Sequence, residues 1–93
     1  MKGKTMKPVY VSNPWNVPNQ FMIHTEDGAW FQSYDRMIAF RSNDGDVILD
    51  EVYWDYSKTT GKYRNKFLLE GIKETRAKID SGEYTLRNLA RDY

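Results

Sequence analysis

Two Gly-bearing turns, Glu26-Asp27-Gly28 and Asn43-Asp44-Gly45, constrain this chain most. Asp-Gly supplies the positive φ angles of a tight hairpin. Each turn stands between short runs rich in β-branched and aromatic residues. Gln20 to Thr25 enters the first turn and Ala29 to Ser33 leaves it. Met37 to Arg41 enters the second and Val47 to Leu49 leaves it, with Tyr34-Asp35 as a bend between the two hairpins. Segments this short and this close in sequence pair with their neighbours. The first half therefore reads as an antiparallel meander of three or four strands.

Residues 1–8 read as a polar, basic arm, and Val9-Tyr10-Val11 as a short strand or an extension of that arm. Pro14 and Pro18 forbid a helix or a central strand around Trp15. Trp15 is expected to anchor this loop on the core, the alternative being a partner contact.

The second half has a different period. A helix is expected over residues 57–80, with Ser57 as N-cap and Gly82 in the left-handed position beyond its end. At 100° per residue, Tyr63, Phe67, Leu68, Ile72 and Ile79 gather on one side. Lys58, Lys62, Lys66, Lys73 and Arg76 gather on the other. Gly61 and Gly71 fall on the apolar side, which implies close approach to the sheet or a kink near Gly71. In the tail, 83–93, Thr85 could cap a last turn that tucks Tyr84, Leu86 and Leu89 on the core. The expected fold is α+β: a three- to four-stranded antiparallel meander against one long C-terminal helix, in a single domain over 1–93.

Charge changes sign where strands give way to helix. Asn43 to Tyr56 holds five acids and no base, and Ser57 to Leu69 holds four bases and no acid. Lys58, Lys62, Lys66 and Lys73 could follow a phosphate backbone, or form an ordinary solvated helix face, since the net charge is only +1. Arg64 falls inside the apolar arc and calls for an acid, with Asp55 or Asp50 as candidates. Trp54-Asp55-Tyr56 reads as a recognition patch or as packing under the helix start.

Catalytic chemistry finds little footing. With no cysteine there is no disulfide, thiolate metal site or thiol nucleophile. The single histidine, His24, lies by the first hairpin turn, without the spacing of a metal site. Gly3-Lys4-Thr5 lacks the upstream glycine and strand of a phosphate-binding loop. Asp50, Glu51 and Asp55 are a dense carboxylate cluster, better suited to a helix dipole or to pairing with Arg64 or Lys58 than to acid–base work. No enzyme activity, cofactor or metal is expected. No apolar run approaches the roughly 18 residues of a membrane span, and the basic start lacks the apolar core of a signal peptide. The expectation is a soluble, intracellular protein.

Phe31-Gln32-Ser33-Tyr34-Asp35-Arg36-Met37-Ile38-Ala39 and the stretch from Tyr53 through Trp54-Asp55-Tyr56-Ser57-Lys58-Thr59-Thr60-Gly61-Lys62 to Phe67-Leu68 resemble a family of small uncharacterised phage, prophage and plasmid proteins. The likeness spans residues 21 to 70, and Tyr-Ser-x-Thr-Thr-x-Lys is its most specific part. It carries no activity. It implies a mobile-element accessory protein in a host cytoplasm, of the kind that binds and inhibits a host or defence protein, as anti-CRISPR proteins do. A nucleic-acid-binding accessory protein and a small-ligand or nucleotide binder are the alternatives. Candidate contacts are Lys58, Lys62, Arg64, Lys66, Lys73, Trp15, Trp54 and Asp55. A homodimer is a further expectation, because a small sheet must cover its edges.

Overall fold

The computed structural model describes residues 8–91. The expected basic arm lies outside them but for Pro8, as does Gly3-Lys4-Thr5. The chain forms strands β1 (Pro8–Ser12), β2 (Gln20–Thr25), β3 (Gly28–Ser33), β4 (Arg36–Ser42) and β5 (Val47–Asp50). Helices α1 (Lys58–Leu68) and α2 (Ile72–Asp80), strand β6 (Tyr84–Arg87) and a 3-10 turn (Leu89–Arg91) follow. All six strands join one sheet in sequence order. β1 to β5 pair antiparallel with their neighbours, whereas β6 lies parallel to β5.

The α+β content stands, but the architecture differs from the expected one: a six-stranded mixed sheet with two short helices. Val9-Tyr10-Val11 belongs to a true strand of the sheet. Tyr84 to Arg87, expected in a tail, is a second added strand. A parallel pair cannot be joined by a tight turn, so the β5-to-β6 connection must cross over, and both helices lie in that crossover.

The helix breaks because Leu69 adopts left-handed backbone, φ 61° and ψ 42°. The amides of Leu69 and Glu70 both donate to the Asn65 carbonyl, which closes the last turn of α1. Gly71 then starts α2 in extended conformation. The kink expected near Gly71 is thus a complete break. Ser57 caps α1, accepting from the Thr60 amide at 3.2 Å. Gly82 follows α2 at φ +85°.

Both sheet faces are covered. Register partners Met22, Phe31, Ala39 and Leu49 carry one apolar row. Tyr63, Phe67 and Leu68 of α1 pack in the same core cluster as Phe31, Ala39 and Leu49. On the opposite face Ile23, Trp30, Met37 and Phe40 form a second cluster with Leu89. The run Met37-Ile38-Ala39-Phe40 is buried throughout. A bulge explains it: Phe31 pairs with Ala39 and Gln32 with Met37, leaving Ile38 as the extra residue. Gly28, at φ +154°, allows β3 to approach β4. A Cβ there would sit 2.1 Å from the Arg41 carbonyl oxygen.

Leu69 is 86% exposed, so it gains little packing in return for a backbone region that L-residues avoid. Leu69→Gly is expected to raise unfolding free energy by about 1 kcal/mol. The urea midpoint should therefore increase; a fall would contradict this account of the break.

Candidate functional site

Asp50, at the end of β5, fixes the loop that follows it. Its side chain is buried, and one carboxylate oxygen accepts from the amides of Val52 (3.0 Å) and Tyr53 (2.8 Å). The other accepts from the Leu89 amide at 3.0 Å. The Asp50 carbonyl takes the Trp54 amide. One carboxylate therefore holds both the 51–57 loop and the chain passing beneath the sheet. The sequence suggested a helix-dipole role; the backbone amides it holds belong to the loop and to Leu89.

Arg64 fixes the far end of the loop. Its side chain is 1% exposed, and Nη1 donates to the Trp54 carbonyl (2.8 Å) and to Asp55 Oδ1 (3.1 Å). Nη2 donates to Asn65 Oδ1 at 2.9 Å. Of the two acids expected for Arg64, Asp55 is the partner. Asp55 Oδ2 also meets Arg76 at 3.1 Å. The two guanidinium groups lie 5.2 and 5.4 Å from the Trp54 ring, within cation–π range. Gly61 lies beside the ion pair, where a Cβ would make ordinary contact with Arg64 and Asp55 at 3.6 Å.

Between these two anchors the loop turns apolar side chains outward. Val52 is 67% and Tyr56 58% exposed. Tyr53 is half-buried and packs edge-on to Tyr56, with ring centroids 5.3 Å apart. Arg36, from the start of β4, lies 4.6 Å over the Tyr53 ring. Tyr34, two residues before it, is 48% exposed. A cleft of about 200 Å³ opens here, lined by Arg36, Met37, Asp50, Val52, Tyr53 and the chain at Asn88 and Ala90. Tyr and Arg on a fixed backbone are the usual anchors of protein interfaces. Arg36 and Tyr53 fell within the stretches that carry the resemblance, but neither they nor Val52 stood out as contacts, because only the fold brings β4 against the loop.

The expected basic ridge is divided. Lys58, Lys62 and Lys66 are exposed along α1, spanning about 12 Å at 1.5 Å per residue. Lys73 is exposed on α2, beyond the break. Arg64 turns inward and Arg76 is held by Asp55. Trp15 packs edge-on to Phe31 at 5.7 Å and against Tyr63 at 5.5 Å, the packing role expected of it. His24 stacks on Tyr10 at 4.1 Å and pairs with Ser12 Oγ at 3.1 Å. Among the described residues no group of three or more His, Cys, Asp or Glu side chains could hold a metal ion. No helix there is long and apolar enough to cross a membrane.

Glu70, between the helices, is the charged residue that sequence reasoning missed. Its side chain is 2% exposed and meets Lys78 Nζ at 2.9 Å. It also accepts from Thr75 Oγ1 (2.6 Å) and Tyr84 OH (2.8 Å). Burial opposes its ionisation most strongly, yet the three hydrogen bonds and the Lys78 charge together bring its pKa below the ordinary 4.5. Burial, and then the Glu70 carboxylate, push Tyr84 up from 10.0 to about 12. Hydrogen bonding to Glu70 raises Lys78 above its ordinary value.

The candidate site is thus a loop with a fixed backbone and outward apolar side chains on a small mixed-sheet α+β domain. The chain belongs to a family of unknown function (DUF8033), whose model matches residues 6–83. No curated protein and no solved structure matches it.

Two outcomes are expected. Arg64→Ala should destabilise the fold by about 3 kcal/mol, since it empties a buried site and takes the donor from the Trp54 carbonyl. Arg76→Ala, at an exposed pair, should change stability by less than about 1 kcal/mol. Equal urea shifts for the two would refute this ranking.

A depressed Glu70 pKa gives stability that is fully present above pH 4.5 and lost as pH falls through the folded value. Glu70→Gln should flatten the acid limb of a midpoint-versus-pH curve. The raised Tyr84 value gives stability present below pH 10.0 and lost as pH climbs towards about 12. Tyr84→Phe should reduce that alkaline loss. Unchanged acid and alkaline limbs in the two variants would rule out the linkage.

Proposed function

We propose that this domain is an accessory protein of a phage or other mobile element that binds a host or defence-system protein stoichiometrically and inhibits it, in the manner of an anti-CRISPR protein. The observation that supports it is the 51–57 loop: its backbone is fixed by Asp50 and Arg64 while Val52 and Tyr56 face outward. A surface already held in its bound shape avoids the entropy of ordering on association. The mobile-element origin and a host-cytoplasm location rest on the sequence resemblance. No catalytic residue, cofactor or metal enters this reading.

The cleft beside Arg36 and Tyr53, at about 200 Å³, is smaller than the roughly 300–1,000 Å³ of typical ligand pockets. It suits one anchoring side chain of a protein better than a nucleotide. The second reading, nucleic-acid binding, draws on the exposed line of Lys58, Lys62 and Lys66. That line is short, and the neighbouring guanidinium groups of Arg64 and Arg76 already face Asp55.

The two readings separate in a nuclease-treated pull-down from host lysate, using wild type, Val52→Asp/Tyr56→Ala and Lys58→Glu/Lys62→Glu/Lys66→Glu. A stoichiometric protein lost only with the loop variant, and retained as salt rises, is the expected result. Its purified activity should fall on adding wild-type domain at one equivalent. Bands that vanish with nuclease or with the lysine variant would replace this reading with phosphate-backbone binding.

A further inference from the structure

The buried layer between the sheet and the start of α1 holds polar atoms without partners. Gln20, the first residue of β2, is 1% exposed. Neither Oε1 nor Nε2 of its side chain has a hydrogen-bond partner among the described residues. Its register partner is Ser33. Directly opposed residues of antiparallel strands point to the same face, with Cβ atoms about 5 Å apart. Ser33 meets α1 on that face, its Oγ 2.9 Å from Thr60 Oγ1. Ser33 and Thr60 are as buried as Gln20, at 2% and 0% exposure.

The hydroxyl protons do not balance either. Ser57 Oγ donates to Thr60 Oγ1 at 3.2 Å and accepts from the Thr60 amide. One further proton lies between Ser33 and Thr60, whichever of them donates. Three hydroxyls carry three protons, and these two oxygen–oxygen contacts use two. The third stays on Ser33 or Thr60, on a buried oxygen. A buried donor or acceptor left unpaired is costly, and here two facing residues hold such groups.

We infer that a buried water bridges the Gln20 side-chain amide to the Ser33–Thr60 hydroxyl pair. A water accepts the spare hydroxyl proton and donates to Gln20 Oε1, which answers both groups at once. Gln20, Ser33 and Thr60 are uncharged, so the site suits a neutral water rather than an ion. The two groups face each other across adjacent strands without a direct bond, the arrangement in which a water mediates. Such waters typically bond to about three otherwise unsatisfied buried groups. This one joins β2 and β3 to the first turn of α1, and so seats the helix start that Ser57 caps. The inference does not depend on what the 51–57 loop binds.

A high-resolution crystal structure of the full chain, with urea unfolding of Gln20→Met, tests this. Density for a water is expected at about 2.7–3.2 Å from both the Gln20 amide and the Ser33 or Thr60 hydroxyl. Met is close to Gln in length and donates no hydrogen bond. Gln20→Met should lower the urea midpoint, because the water and the spare hydroxyl lose a partner. A Gln20 amide that was simply unpaired would be relieved by Met, and the midpoint would rise. That rise overturns the inference. So does a direct Gln20 bond to Ser33 or Thr60, or a crystal structure with no water between them.

Discussion

The buried carboxylate of Glu70 is the constraint on which the second half of this fold turns. An ionised carboxylate is tolerated inside a protein only where donors replace its water. Glu70 finds them in Thr75 and Lys78 on α2 and in Tyr84 on β6. Those partners lie in α2 and at the start of β6, so satisfying the charge ties the second helix to the strand that returns to the sheet. Leu69 and Gly71 turn the chain at this corner, and the Glu70 network then holds α2 against the start of β6.

A second carboxylate performs the corresponding task on the other side of the sheet. Asp50 gathers backbone amides from the 51–57 loop and from Leu89. Leu89 enters the cluster of Ile23, Trp30, Met37 and Phe40. Each acid ties a connecting segment to the end of a strand. Between them they explain how a chain of 93 residues covers both faces of a six-stranded sheet. The apolar area supplies the driving force; the two carboxylates direct which segment covers which face.

The legible parts of the sequence were those set by local chemistry. Asp27-Gly28 and Asp44-Gly45 marked the hairpins, Ser57 the start of α1 and Gly82 the end of α2. Arg64 stood out because a guanidinium in an apolar arc demands an acid, and Asp55 supplies it. The illegible parts depend on contacts between distant residues. Leu69 is a good helix former, and nothing local announces its left-handed backbone. Tyr84 to Arg87 is too short to show a period, and becomes a strand only because β5 offers an open edge. The proposed contact surface was legible in part. Tyr56 fell within the suspected Trp54-Asp55-Tyr56 patch, whereas Arg36 reaches Tyr53 from a strand on the far side of a hairpin.

The order of the strands also implies an order of assembly. Every pairing from β1 to β5 joins neighbours in sequence, so the meander can zip up hairpin by hairpin with little loop closure. The β5–β6 pairing must wait until residues 51–83 have crossed over. Long-range pairings carry the larger entropic barrier and form late. Until then the edge of β5 stands open, so the meander is exposed on the side where β6 will later pair.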